Sequence, residues 1–320
     1  MEKRKRPLIG ISSCLLGNNV RYNNGHTRDK WITRELEKYV DFYPFCPEVE
    51  MGLGVPREEI HLVYQDDDRK NVQLYSKFSK KNLTDKASET YDRMNREMSR
   101  HLINGVILMK KSPTCGLSNV KTVSKSGDGP VTFSKGLYTK SLDEFYPLVP
   151  KEESGRIKQP ELREHFLKNV FAHFRYEQIE KSISSIQDFH KKYKYILMEH
   201  SPVGLKKLGL VASNPENKSA LQIYKDYGEI FFEILGKKPK KNNRYSTLFH
   251  IMGYFKKFLS SEDKKELIAN FDEYRSGVQS YLAVITLIQF LVKKYKLEYF
   301  EDNYYFNPYP KELKLLKEVA

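Results

Sequence analysis

Strand-like and helix-like segments alternate in the first half of the chain, and this alternation limits the possible fold more than any other feature. Apolar runs at residues 8–11 and 106–109 have the length of buried strands, and a shorter aromatic run interrupted by a proline spans 42–46. Segments with apolar residues at helical spacing lie at 32–40 and 87–102. The order predicts an α/β domain, Rossmann-like, whose mostly parallel sheet is covered by helices.

The chain contains three cysteines, Cys14, Cys46 and Cys115, each at or just past the carboxyl end of a strand candidate. Ligands bind at that edge of an open α/β sheet, so we expect the three thiols to meet there. Three thiolates without a fourth describe a metal site with one open position, as in an iron–sulfur cluster with a free iron. Two alternatives remain open: a zinc site completed by His26, and three buried cysteines that act as small hydrophobic residues.

Glu48 and Ser112 lie two and three residues from a cysteine, and we expect both to line the same crevice. A carboxylate there can act as a general base, and a hydroxyl can donate to a developing anion or relay a proton. The alternatives are a solvated loop charge for Glu48 and a turn residue for Ser112. The residues by themselves favour these alternatives.

The second half of the chain has a different pattern. Residues 151–160 are polar, end in a proline and are predicted to form a linker between a domain at 1–150 and a second domain at 161–320. The second domain shows helical spacing almost throughout, with Ser260 or Ser261 as a cap for the helix that follows. We predict an all-α helical bundle.

The formal net charge of +14 is shared between the two halves of the 320-residue chain, which carry +6 and +8. A spread basic excess favours a polyanionic partner, nucleic acid rather than anionic lipid, because no basic amphipathic anchor stands out. The alternative is a protein from a lysine-rich proteome. The sequence shows no signal peptide and no apolar run of about 20 residues, and the odd cysteine count disfavours a disulfide framework. We expect a cytoplasmic protein without a membrane partner.

Six ordered motifs in the first half resemble the thiouracil desulfidase family, small α/β proteins with a three-cysteine [4Fe-4S] cluster. The motifs are residues 12–17 (SSCLLG), 20–22 (VRY), 25–26 (GH), 46–49 (CPEV), 52–57 (GLGVPR) and 111–116 (KSPTCG). This chain departs from the family pattern at Thr114, where serine is frequent, and at residues 23–24 (NN), where a more acidic, glycine-rich pair is expected.

The second half resembles the helical domain that is fused to this module in tRNA 4-thiouridine desulfidases. The matching stretches are residues 200–202 (HSP), 250–257 (HIMGYFKK), 273–275 (EYR) and 307–313 (NPYPKEL). The fusion implies that the helical domain binds tRNA, with lysine pairs on phosphates and aromatic rings on bases.

The resemblance implies that Cys14, Cys46 and Cys115 hold a [4Fe-4S] cluster, while Glu48 activates water and Ser112 positions the base or passes a proton. The activity so implied is iron–sulfur-dependent replacement of the sulfur of 4-thiouridine in tRNA by oxygen, with release of hydrosulfide. Other thiouridines are further possible substrates. The alternatives are a desulfidase of free thiouracil or thionucleosides, and a non-catalytic RNA-binding protein with a redox-sensing cluster or zinc site.

Overall fold

The computed structural model describes residues 4–313, in which strands and helices alternate first and helices follow alone. The strands are β1 (Leu8–Ser12), β2 (Asp41–Phe45), β3 (Ile60–Tyr64), β4 (Val72–Ser76), β5 (Gly105–Leu108), β6 (Val120–Ser124), β7 (Thr132–Ser134) and β8 (Lys151–Glu153). The helices are α1 (Lys30–Arg34), α2 (Pro47–Glu50), α3 (Thr84–Met98), α4 (Leu137–Phe145), α5 (Pro160–Gln178), α6 (Ile183–His200), α7 (Pro202–Ser213), α8 (Ala220–Leu235), α9 (Lys241–Met252), α10 (Ser261–Ser276) and α11 (Tyr281–Lys294). The described chain forms two compact units: the first contains residues 4–174 together with Glu312 and Leu313, and the second is Arg175–Lys311.

The first unit contains a parallel sheet with the strand order β2-β1-β5-β8. The central strands β1 and β5 bury nearly every residue, as expected for parallel strands that are covered on both faces. Strand β2 lies at one edge of the sheet and pairs on one side only. Pro44 is tolerated there because its missing N–H group is not needed on the unpaired side. The predicted fold class, a mostly parallel α/β domain followed by a helical domain, is confirmed.

A second sheet in the same unit was not anticipated by the sequence analysis. Its order is β4-β3-β6-β7, with β3 parallel to β6 and the two outer pairings antiparallel. Leu62 on β3 lies opposite Thr122 on β6, so partners some sixty positions apart in sequence meet here. This sheet contributes one wall of the site described below.

The structure corrects the predicted linker and domain boundary. Lys151–Glu153, assigned to a linker, is strand β8 and pairs with β5, because its backbone completes the edge of the parallel sheet. The first part of α5 belongs to the first unit: a Cβ added at Gly105 would lie 2.6 Å from Val170 and 3.2 Å from Phe166. Both side chains share an apolar face whose packing partner the sequence did not reveal.

The second unit is helical throughout its described length. Its core is rich in aromatic side chains, among them Tyr193, Tyr227, Phe231 and Phe271, each at most 1% exposed. Serine caps begin several helices, and the predicted cap Ser260 forms a reciprocal capping box with Asp263 at the start of α10. Among residues 4–313, no helix is both long and apolar enough to cross a bilayer.

Candidate active site

The three cysteines line one cavity of about 670 Å³ at the carboxyl edge of the parallel sheet. Cys14 follows β1 in the 3-10 turn Ser13–Leu16, Cys46 directly follows β2, and Cys115 lies in the loop after β5. Because these three strands are parallel neighbours, their carboxyl ends lie side by side. The sheet topology therefore brings together thiols that are up to a hundred positions apart.

The turn that carries Cys14 is closed by backbone hydrogen bonds. The amides of Thr27 and Gly17 both donate to the Cys14 carbonyl, at 3.0 and 3.4 Å. Gly17 has a φ of +102°, a left-handed conformation that a side chain would strain. The Ser12-to-Gly17 motif thus makes a turn that leaves the Cys14 side chain on the cavity wall.

Glu48 lies in the short helix α2, and its carboxylate is 9% exposed beside Cys46. The Cys46 thiol donates to Glu48 Oε2 at 3.2 Å. The guanidinium of Arg57, which is 7% exposed, lies 3.9 Å from the same oxygen and neutralises part of its charge. These contacts compensate the carboxylate for the water that burial removes.

A network of hydroxyl groups holds the other oxygen of Glu48. Thr114 is fully buried, and its Oγ1 lies 2.7 Å from Glu48 Oε1 and 3.0 Å from Ser112 Oγ. The single hydroxyl proton of Thr114 goes to the carboxylate. Ser112 Oγ lies 3.5 Å from the same carboxylate oxygen, so its proton is shared between Thr114 and Glu48. Ser112 Oγ in turn accepts from the amide of Cys115 at 3.1 Å. Both hydroxyl groups therefore converge on Glu48 Oε1.

Burial governs the protonation of the three thiols. It raises the pKa of Cys14, and it raises the pKa of Cys46 to about 12 with a further contribution from the Glu48 charge. Burial and the same carboxylate raise the pKa of Cys115 well above its ordinary value. The thiols are therefore protonated at neutral pH unless a cation replaces their protons, which is what metal binding does.

The zinc alternative with His26 finds no support in the geometry. His26 is exposed, and its Nδ1 accepts from the amide of Arg28 at 3.2 Å. Among residues 4–313, no three His, Cys, Asp or Glu side chains stand close enough to hold one metal ion.

The rest of the cavity wall is basic, and much of it comes from the second sheet. The basic side chains that line the cavity are Arg21, Arg57, Lys77, Lys80, Lys110, Lys111 and Lys121, against the acidic Glu48, Glu58 and Glu59. Part of this charge is compensated, since Lys77 pairs with Glu59 at 2.6 Å. The sequence analysis missed Lys77, Lys80 and Lys121, because they lie on or just after strands of the second sheet, which it did not predict. The short apolar and aromatic run at residues 60–64 (IHLVY) was the available signal.

The structure thus places every predicted site residue on the same cavity: Cys14, Cys46, Cys115, Glu48 and Ser112. The structure also identifies two residues that contact Glu48, Thr114 and Arg57. The sequence analysis quoted both within motifs but assigned them no role. Neither could be assigned from sequence, because each acts on Glu48 across a distance set by folding.

Comparison with known proteins agrees with this arrangement. Residues 9–154 match the model of the 2-thiouracil desulfurase family. All the cavity residues named above fall inside that match. Residues 194–310 match a second model, described as a protein of unknown function (DUF1722).

Two individual relatives were also found. The uncharacterised protein YbgA of Escherichia coli (strain K12) is 26% identical over 132 residues, which are 41% of this chain and 78% of YbgA. Among solved structures, the [4Fe-4S]-dependent thiouracil desulfidase TudS is 23% identical with a TM-score of 0.38. That match covers 50% of this chain and 97% of TudS.

Proposed function

We propose that the first unit is an iron–sulfur desulfidase that replaces the sulfur of a thiolated pyrimidine by oxygen and releases hydrosulfide. The observation that carries this proposal is the convergence of three cysteines with Glu48 and Ser112 on one cavity. The match of residues 9–154 to the 2-thiouracil desulfurase family supports the same reaction class. In the overall reaction, a C=S group and water give a C=O group and hydrogen sulfide, with no net redox change.

The donor set fits a [4Fe-4S] cluster with three protein ligands. Cys14, Cys46 and Cys115 are free thiols on a largely buried wall, as cluster ligation requires. When bound, the cluster supplies a Lewis-acidic iron with an open position, which suits a soft thiocarbonyl sulfur better than the oxygen that replaces it.

The residues around the cysteines supply the proton chemistry. Glu48 accepts a proton from water as the water adds to the ring carbon that carries the sulfur. Arg57 and Thr114 hold its carboxylate in place through the contacts described above. Ser112 lines the same cavity, and its hydroxyl group turns from this network to position the pyrimidine and to pass a proton to or from it.

The finer proposal is that the substrate is 4-thiouridine within tRNA. The cavity wall is lined by five lysines and two arginines, which favours a substrate that carries phosphate groups. The net charge of +14 extends the basic surface to both halves of the chain. A base in folded tRNA must leave its stack to reach such a cavity. A second domain that binds the RNA would keep the tRNA bound while the base occupies the cavity.

The test begins with iron and acid-labile sulfide measured on the anaerobically purified full-length chain. We expect equal amounts of iron and acid-labile sulfide, as in a [4Fe-4S] cluster. Both should be lost in Cys46→Ala and retained in the surface control Ser99→Ala. Single-turnover assays with thiolated tRNA then measure sulfide and the uridine product. A protein that binds RNA but holds zinc or no metal, and releases no sulfide, would overturn the enzymatic proposal in favour of a binding protein.

Free thiouracil and thionucleosides form a second candidate substrate class, favoured by the description of the matching family and by the cavity volume. About 670 Å³ lies within the range for small-ligand sites. Competition in one vessel between thiolated tRNA and 4-thiouridine nucleoside separates the two classes. A higher kcat/KM for the nucleoside would favour the second candidate while leaving the desulfidase reaction in place.

A further inference from the structure

Two stacked aromatic pairs lie beside one another in the second unit. Tyr254 stacks on Tyr299 with ring centroids 5.2 Å apart, and Phe258 stacks on Tyr295 at 5.0 Å. The first members lie in the turn after α9 and the second members in the segment after α11, so the two segments run alongside each other. Tyr254 is 37% exposed and Phe258 is 47% exposed, so both rings remain accessible to solvent.

Lysines surround these rings. Lys191 Nζ lies 5.8 Å from the ring of Tyr299, and Lys294 Nζ lies 5.3 Å from that of Tyr295. Lys256 and Lys257 are exposed and stand between the two exposed rings in sequence. We call the four rings and the lysines of segments 191–195, 253–258 and 291–299 the basic aromatic patch.

The patch has a net positive charge, although Asp188 and Asp302 act on its Lys192 and Asp263 acts on its Lys294. Its three segments contain eight lysines and one acidic residue, Glu298. Within residues 4–313, no carboxylate lies within salt-bridge distance of Lys191, Lys256 or Lys257, whereas Lys192 pairs with Asp188 at 2.8 Å. The patch therefore presents cations and exposed rings on the same surface.

We propose that the basic aromatic patch is an RNA-binding surface, on which unpaired bases stack on Tyr254 and Phe258 while the lysines contact phosphates. Single-stranded nucleic acid is bound by this combination of stacking rings and cationic groups. A lipid surface would instead require a continuous apolar face, and here lysines separate the rings. The proposal rests on the tRNA substrate proposed above and names where the second unit holds it.

The test measures fluorescence anisotropy of a fluorescein-labelled tRNA transcript with the full-length chain, between about 50 and 200 mM salt. In the double variant Lys256→Gln/Lys257→Gln, we expect the slope of log K against log salt to fall by about 1.5, because two phosphate contacts are lost. Phe258→Leu should weaken binding about tenfold at an unchanged slope, because it removes a stacking face and no charge.

The matched control is Lys206→Gln/Lys207→Gln, which removes the same charge from an exposed lysine pair on α7. If the control changes the salt slope as much as the patch variant does, the assignment of RNA binding to this patch is wrong, although the chain still binds RNA. Absence of binding by the unmodified chain overturns the tRNA substrate, and sulfide release from 2-thiouracil in the same samples reports separately on the reaction. Patch-dependent binding to phosphatidylglycerol vesicles, with tRNA binding unaffected, would assign the patch to a lipid surface instead.

Discussion

Replacement of Thr114 by valine isolates the hydrogen bond that holds Glu48. The substitution keeps the shape of the side chain and removes the hydroxyl that donates to Glu48 Oε1 at 2.7 Å. This contact matters more than the one from Cys46, because the Cys46 thiol loses its proton when it ligates metal and can then no longer donate to Glu48. Of the two hydroxyl groups that remain beside Glu48 Oε1 after ligation, Thr114 is the closer one, since Ser112 Oγ lies 3.5 Å away.

The expected size of the effect follows from the burial of both groups. Thr114 is fully buried and Glu48 is 9% exposed, so water does not replace the lost donor. A hydrogen bond to a charged group contributes about 1.5–3 kcal/mol, which corresponds to a loss of roughly 10- to 100-fold in kcat. We expect KM to change little, because Thr114 is not positioned to touch the substrate.

The control is Thr114→Ser, which keeps the hydroxyl and loses one methyl group, at a cost of about 1 kcal/mol in stability. Sulfide release, at equal iron content, should be near that of the unmodified chain in Thr114→Ser and strongly reduced in Thr114→Val. In a Glu48→Gln background the valine substitution should have little further effect, because the partner that it positions is gone. Full turnover by Thr114→Val would refute the reasoning.

Three stability predictions use urea unfolding, and Trp31, the one tryptophan, reports on the first unit. Burial lowers the pKa of His173 to about 3, so the unfolded chain binds a proton at a higher pH than the folded chain does. The free energy of unfolding therefore falls as the pH drops below about 6.5. Between pH 6.5 and 5, the His173→Gln variant should lose about 2 kcal/mol less of this free energy than the unmodified chain. Gly105→Ala should cost about 1–3 kcal/mol, because its Cβ would lie 2.6 Å from Val170; an unchanged midpoint would contradict that packing. Ser260→Ala, followed by circular dichroism of the second unit, should cost about 1 kcal/mol, and Ser260→Asn should restore most of it.

Several features were predictable because their signals are local. The apolar runs of β1 and β5 have the length and composition of buried parallel strands, and the structure contains strands at both places. Ser260 was predictable as a cap because a serine before an amphipathic segment can bond only to the amides that follow it. The positions of the three cysteines after strand candidates were likewise visible along the chain.

Other features depended on which elements become neighbours. Strand β8 was mistaken for a linker because its three polar residues carry no strand signal, and only pairing with β5 makes them a strand. The second sheet joins β3 to β6 across residues that form α3 and β5, and it brings Lys77, Lys80 and Lys121 to the cavity wall. Strand propensity depends on such context more than helix propensity does.

The sequence by itself determined the α/β character of the first half, the helical character of the second, and the identity of the groups that can do chemistry. Only the tertiary structure decided how those groups are arranged. Thr114 and Glu48 are 66 positions apart, and their 2.7 Å contact exists because β2 and β5 flank β1 in one parallel sheet. Residue type and local spacing fix what a side chain can donate or accept, but its partner is set by the packing of distant segments.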